Sequence, residues 1–458
     1  MRRSALIVGA GPAGLACAQR LVDADLDVTL LEARHRMGGR VWTNFEVAPG
    51  VPVEMGALMV HGRHVATHRW ARKVELLPRP YPTTWRARFV IGPYARSTVG
   101  SLLPQPGPFG PTTMWDGLRR LPKALARYSG PEITLEKFLA TNGVAPGPAL
   151  FLKLLHAHTW AAETDEVGVR AANYEDAASH EPYGFRNFRF VEGYSELIRR
   201  HALRLEGRIR TGYRVRSIDW TDRPVHIMAS STITGEDHEF RADHVVVTVP
   251  LGVLRAGEPV FEPSLPVEKR KAIDRIGFGR AITVAFRYPE SSLKRPLGRE
   301  VLIWAGGTTT FLRPGLSVAG SKGLFVAFTV GREAERRAGL TDRALVDVTV
   351  GELRSALPGV LADHSPNAWA IARWVNDPLV RGAYSFPAVG SGPGDRQQLA
   401  APLSDRVFFA GEATHTEGEP STVHGALETG WRAAEEVIAA SGRYATAHRT
   451  EFGRQATP

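Results

Sequence analysis

The chain has 458 residues, 43% hydrophobic and 23% charged, which is enough for two domains or for one domain with a large insertion. Its net charge of +10 comes mostly from arginines scattered along the whole length. They form no basic cluster interleaved with aromatics of the kind nucleic acid requires, and no stretch is long and apolar enough to span a bilayer. The scattered charge leaves open a basic funnel for an acidic substrate or an anionic cofactor. Cys17 is the single cysteine, so an intramolecular disulfide and a cysteine-based metal cluster are excluded, no metal is expected, and a cytoplasmic setting fits. Arg2 and Arg3 before an apolar stretch look superficially like an export signal. Gly9, Gly11, Pro12 and Gly14 interrupt that stretch, so it reads as folded protein.

The first predicted elements are a buried strand at Ala5–Val8, a glycine-rich turn, and a helix whose apolar spacing runs over Leu15–Leu21. The turn reads Gly9-Ala10-Gly11-Pro12-Ala13-Gly14. In such a turn the first glycine allows the tight bend, the second lets backbone approach a pyrophosphate, and the third lets helix and sheet pack closely. A helix N-terminus there offers free N–H groups to phosphate. A second strand, Val28–Leu31, ends on Glu32, followed by Ala33 and Arg34, at the interval expected for a carboxylate that accepts from both ribose hydroxyls. Glu32 repels a 2′-phosphate, which disfavours NADP. The run Arg34 to Thr43 adds a second glycine pair, Gly38-Gly39, and then Arg40. A second pyrophosphate-facing turn with its own arginine suits an extended dinucleotide ending in a flavin, hence FAD.

Further along lie Val53-Glu54-Met55-Gly56-Ala57 with His61-Gly62, then Arg214 to Asp219. A buried strand at Val245–Val249 is stopped by Pro250. Near the C-terminus, Val407 to Phe409 reads as a strand ending in Gly411 and Glu412. Ser421-Thr422-Val423 opens a helix with apolar positions at Val423, Leu427, Trp431, Ala434 and Ile438. Two stretches carry no nucleotide signal. The first, roughly 75–205, is proline-rich to Pro111 and helical in pattern afterwards. The second, 256–380, alternates like antiparallel strands at Ala281–Phe286, Leu324–Val330 and Ala368–Trp374. There is no internal repeat or low-complexity segment, and the last residues read as a polar tail.

These separated motifs resemble the flavin-dependent amine oxidase family, which includes monoamine and polyamine oxidases, L-amino-acid oxidases and lysine-specific histone demethylases. The resemblance implies an α/β fold with a Rossmann-type FAD-binding domain at 1–75, 206–255 and 385–445. A discontinuous α+β substrate-binding domain would take 76–205 and 256–384, leaving 446–458 as the tail. It also implies that Gly56 and Ala57 leave room for the isoalloxazine, that Glu54 lies near the flavin, that His61 faces the substrate and that Val215 contacts the adenine. Glu412 would hold the ribityl chain, and the amides around Thr422 and Val423 would point at the flavin's pyrimidine edge, where the helix dipole favours charge developing on reduction. Trp374 and Tyr384 resemble the family's aromatic wall, with the second tyrosine of the monoamine oxidases replaced by Thr422. Ala383 stands where those enzymes carry a flavin-linking cysteine, so the FAD is expected to be noncovalent.

One departure concerns the family lysine that acts through water on flavin N5. The corresponding stretch, Arg275 to Val284, has no lysine, and Arg280 is the available stand-in, a poor one because it does not deprotonate. The chemistry implied is hydride transfer from a carbon bearing nitrogen to the flavin, with O2 as acceptor, giving an imine and hydrogen peroxide. The substrate would be a small-molecule amine or amide. The missing lysine keeps a second reading open: a secondary-metabolism (antibiotic-biosynthetic) amide oxidase that forms an N-acyl imine, as in lankacidin biosynthesis, with Glu54 removing the N–H. A C–C desaturase remains a further alternative. A chromatin demethylase would need an appended domain for which the chain has no length. A homodimer is left open.

Overall fold

Apolar residues over the first 32 positions dictate a strand, a helix and a strand, and the chain adopts them at Ser4–Val8, Pro12–Asp23 and Asp27–Glu32. Pro12 occupies the first helical position, where the missing N–H costs nothing because that donor has no partner within a helix. The structure, a computed structural model, describes residues 3–81, 87–91, 94–97, 123–144, 146–178, 186–294, 302–304, 307–314, 321–361 and 363–454. Much of the proline-rich part of the first intervening stretch lies outside the described residues. The chain forms two compact units, Met1–Gly39 with Ile198–Asp274 and Gly394–Pro458, and Arg40–Leu197 with Arg275–Pro393.

In the first unit a five-stranded parallel sheet runs in the order Ile209–Thr211, Asp27–Glu32, Ser4–Val8, His244–Val247, Val407–Phe409. The strands Ser4–Val8, His244–Val247 and Val407–Phe409 are nearly continuous runs of buried residues, as expected for a sheet covered on both faces, whereas the edge strand Ile209–Thr211 is half-buried to exposed. A second sheet, Asp237–Ala242, Val225–Ser231, Tyr213–Asp219 and Val260–Glu262, shares one core with the first through Leu6, Val8, Ile218, Ile227, Val247 and Phe409. The strand expected to reach Val249 ends at Val247, and Pro250 instead caps a short helix, Leu251–Arg255. The last helix, Val423–Arg454, continues through much of the expected polar tail, because its alanine, arginine and glutamate are strong helix formers. Its buried stripe also differs from the expected one. Leu427 and Ala434 are buried, but Val423, Trp431 and Ile438 are only half-buried, while Ala433, Val437 and Ala440 take the interior. Close packing explains this: a Cβ on Gly430 would come within 2.3 Å of the Ala13 carbonyl oxygen on the helix Pro12–Asp23.

The second unit is built on a seven-stranded sheet that includes Ala368–Ala372, Ala281–Arg287, Leu324–Val330 and Thr309–Leu312 as antiparallel neighbours. The helix Asp342–Ala356, capped by Thr341, covers it with Leu345, Val346, Val350 and Leu353 against Phe286 and Phe325. A separate helical cluster gathers Phe138, Leu154, Trp160 and Val167. No helix among the described residues is long and apolar enough to cross a membrane.

Candidate active site

In the first unit, three different constraints select the three glycines of the opening turn. Gly9 has φ +105°, and a Cβ there would meet Thr248 Oγ1 at 2.7 Å. Thr248 is a partner that sequence pattern did not single out; its hydroxyl donates to the carbonyl of Val8 at 2.8 Å. A Cβ on Gly14 would collide with the Gly9 carbonyl oxygen at 2.0 Å, so this glycine sets how closely helix meets turn. At Gly11 a Cβ would meet nothing within 4 Å. That position is kept bare without any packing demand, which fits backbone left open to a dinucleotide. Ala13 is buried beside it. The second glycine pair folds onto the same turn: the Gly38 amide donates to the Ala10 carbonyl at 2.8 Å, and Gly39, at φ +55°, would bring a Cβ to 3.7 Å from Gly11 Cα.

Glu32 is buried, and its two carboxylate oxygens accept from the amides of Ala10 and Arg34, each at 2.9 Å. A carboxylate has about four acceptor sites, so capacity remains for sugar hydroxyls. Ala33 lies between these anchors, and Val215 is buried in the strand Tyr213–Asp219. At the other end of the unit, Gly411 has φ +125°, and Glu412 is buried and accepts from the Ser421 amide at 2.9 Å. Thr422 caps the last helix: its hydroxyl donates to the Glu419 carbonyl at 2.8 Å and accepts from the Gly425 amide at 2.9 Å. The helix therefore starts at Val423, with first-turn amides that lack intrahelical partners. Cys17 is fully buried, and burial pushes its thiol pKa up, so it is no nucleophile. Buried Lys269 is a clamp, donating to the carbonyls of Gln398, Leu399 and Ala401.

In the second unit, Gly56 exists for close approach, since a Cβ there would meet the Arg40 carbonyl at 1.8 Å and Trp374 Cζ2 at 3.2 Å. The Ala57 amide donates to that same carbonyl at 3.0 Å. Arg40 donates to the Ala383 carbonyl at 2.7 Å and stands 5.8 Å from the centre of the Phe278 ring.

Glu54 is the most perturbed carboxyl of the candidate set. It is half-buried, and burial pushes its pKa up to about 7, against two hydrogen bonds and the charge of Arg189, which pull it down. One oxygen accepts from the Tyr194 amide at 2.7 Å, the other from Thr43 Oγ1 at 2.7 Å. Thr43 is itself fixed, because its amide donates to Ser195 Oγ at 2.8 Å and its hydroxyl oxygen accepts from the Ser195 amide at 2.9 Å. The Thr43 proton is thus committed to Glu54. Neither Tyr194 nor Ser195 was legible in the sequence, lying about 140 residues from the carboxylate they serve.

Trp374 is buried, donates from Nε1 to the Met55 carbonyl at 2.8 Å, and packs edge-on to Trp42 with ring centres 6.2 Å apart. Tyr384 is half-buried and donates to the His158 carbonyl at 2.9 Å. The turn before it needs Gly382, whose Cβ would lie 2.3 Å from the Phe278 ring. His61 Nδ1 lies 2.8 Å from Asn187 Oδ1. Arg280 pairs with Glu166 and, at 3.4 Å, with Glu335. Its guanidinium is therefore engaged by carboxylates. The second unit thus brings Glu54, Gly56, Ala57 and Trp374 together, and the first gathers the turn glycines, Pro12 and Glu32.

The parallel sheet with its glycine turn and terminal carboxylate is the arrangement of a Rossmann-type dinucleotide-binding domain, and comparison with known proteins gives the family. Residues 12–438 match the family model for flavin containing amine oxidoreductases, so the chain belongs to that family of FAD-dependent enzymes acting on carbon–nitrogen bonds. Polyamine oxidase 3 of Oryza sativa subsp. japonica is 30% identical, over 94% of this chain and 88% of that one. Lysine-specific histone demethylase 1 homolog 2 of Arabidopsis thaliana is 31% identical over 95% of this chain, which spans 58% of that relative's length. Among solved structures, putrescine oxidase bound to putrescine superimposes with TM-score 0.79 at 20% identity, covering 96% of this chain and 99% of that one. Cyclohexylamine oxidase from Brevibacterium oxydans IH-35A gives 0.78 at 20% identity with the same coverage. At that identity the likeness establishes the fold.

Proposed function

We propose that the protein oxidises a small-molecule amine at the carbon bearing nitrogen, using noncovalently held FAD and O2, to give an imine and hydrogen peroxide. Gly9, Gly11, Gly14, Glu32, Gly39, Glu412 and the amides at Thr422 and Val423 would hold the FAD, with Val215 at the adenine. FAD, when bound, supplies the hydride acceptor that O2 restores. The observation that carries the reading is the geometry at Glu54, whose two oxygens are anchored by the Thr43 hydroxyl and the Tyr194 amide; burial pushes this carboxyl up toward the neutral range, which suits proton transfer. Glu54 takes the proton from the substrate nitrogen. Trp374 and Tyr384 exclude water, which favours the uncharged amine. Arg280, held by Glu166, acts as a structural clamp. Noncovalent binding is supported by Ala383, which offers no thiol, and by the buried state of Cys17. A cytoplasmic location belongs to the same reading.

A second reading, an amide oxidase of secondary metabolism, is supported by the lack of a lysine between Arg275 and Val284. An amide has no ammonium proton to shed, and Glu54 would then remove the N–H itself. Anaerobic mixing with amines, amino acids and N-acyl compounds, following loss of flavin absorbance, separates the two. Bleaching by an amide with no response to any amine overturns the amine reading. Glu54→Gln lowers the reductive rate strongly if Glu54 is the base, and an unchanged rate removes it from that role.

A further inference from the structure

A three-stranded sheet in the second unit joins Val60–His61, Asn187–Arg189 and Arg79–Pro80. Its antiparallel register sets His61 opposite Asn187, and Arg79 opposite Arg189. Directly opposed residues share a face, as do alternate residues along a strand. His61, Asn187, Arg189 and Arg79 therefore lie on one face, and Val60, Phe188 and Pro80 on the other. Tyr81 extends the first face. Its amide donates to the Asn187 carbonyl at 2.7 Å, and the Arg189 guanidinium stands 5.2 Å from the centre of its ring.

Like charges directly opposite one another destabilise an antiparallel pair. Here two arginines are opposed, Arg79 exposed and Arg189 half-buried, and neither has a carboxylate at ion-pair distance among the described residues. The Arg189 charge is felt at Glu54, yet Glu54 spends its oxygens on Thr43 and Tyr194. Stacking on Tyr81 holds the Arg189 guanidinium in place without using its in-plane donors.

We propose that this face binds an anionic group of the substrate, a carboxylate carried on the same molecule as the oxidisable nitrogen, with Arg189 as its main partner and Arg79 as the second. The inference rests on the amine-oxidase reading, with His61 on the substrate's side. A guanidinium presents paired N–H donors that match a carboxylate, and an anion between the two arginines removes their repulsion. A polyamine, cationic at each end, would instead meet two like charges. The substrate class favoured is therefore an amino acid or another amine bearing an acid group.

Two measurements on the FAD-loaded protein test this. The first titrates benzoate, and separately inorganic phosphate, by flavin absorbance and by calorimetry, for the wild type, Arg189→Gln and Arg189→Lys. The second compares kcat/KM for phenethylamine, L-phenylalanine and putrescine. Benzoate should bind with Kd raised roughly tenfold or more in Arg189→Gln and partly restored in Arg189→Lys. The preference for L-phenylalanine over phenethylamine should fall by a similar factor. Equal benzoate affinity in wild type and Arg189→Gln overturns the proposal, as does preference for putrescine. Phosphate binding as tightly as benzoate overturns the carboxylate assignment. Arg189-dependent benzoate binding without flavin reduction by any amine keeps the anion site and defeats the oxidase reading. Amine-driven bleaching with Arg189-independent benzoate binding does the reverse. Flavin content and circular dichroism confirm that each variant is folded.

Discussion

Thr43→Val tests how Glu54 is tuned. The hydroxyl of Thr43 accepts from the Ser195 amide and donates to Glu54, so valine removes a donor from the ionised carboxylate while nearly preserving shape. A hydrogen bond to a charged group is worth about 1.5–3 kcal/mol, or about 1–2 pKa units, so the Glu54 pKa should rise from about 7 to roughly 8–9. The ionised fraction at pH 7 then falls from about a half to between roughly a tenth and a hundredth, slowing flavin reduction at that pH roughly 5- to 50-fold. The rate should recover as pH rises toward 9, and Thr43→Ser, which keeps the hydroxyl, should behave like the wild type. The assay is stopped-flow anaerobic bleaching across pH 5.5–10, with the alkaline shift of the lower limb as readout. A limb that stays in place, or moves to lower pH, refutes the reasoning. Stability provides a second readout with the same sign. Because the folded pKa lies above the unfolded value of 4.5, the protonated carboxyl's contribution is complete below 4.5 and lost as pH rises through about 7. The loss is at most about 3 kcal/mol, since a half-buried group keeps some water. In Thr43→Val it should continue to higher pH in denaturant unfolding of the apoprotein.

The glycines separate fold from cofactor. Gly14→Ala collides with backbone and should cost about 2 kcal/mol or more in chemical denaturation, whereas Gly11→Ala enters open space. Gly11→Ala should leave the apoprotein midpoint nearly unchanged but weaken FAD binding roughly tenfold or more; unchanged FAD affinity would remove Gly11 from the cradle. Acid precipitation should release the flavin into the supernatant, and a yellow pellet would show a covalent link. Arg280→Ala leaves Glu166 without its cation and should lower stability by about 1–2 kcal/mol, with the rate of reoxidation by O2 within about twofold of wild type. A large fall in reoxidation alone would return Arg280 to the reacting atoms.

What sequence alone determined here is local. The opening strand, turn and helix, the strand ending on Glu32, the strand before Gly411, and the strands beginning at Ala281, Leu324 and Ala368 all follow from side-chain periodicity and backbone sterics within a few residues. Even there packing moved the detail, rotating the buried stripe of the last helix toward Ala433 and Val437 because Gly430 lets Ala13 approach. Only the tertiary structure decided the partners. The role of Thr248 beneath Gly9, the grip of Thr43, Ser195 and Tyr194 on Glu54, the capture of Arg280 by Glu166, and the opposition of Arg79 to Arg189 all join residues far apart in the chain. Hydrogen bonds and ion pairs act over a few ångströms, so which groups meet, and which pKa values move, depends on strand register and loop closure rather than on any spacing along the chain.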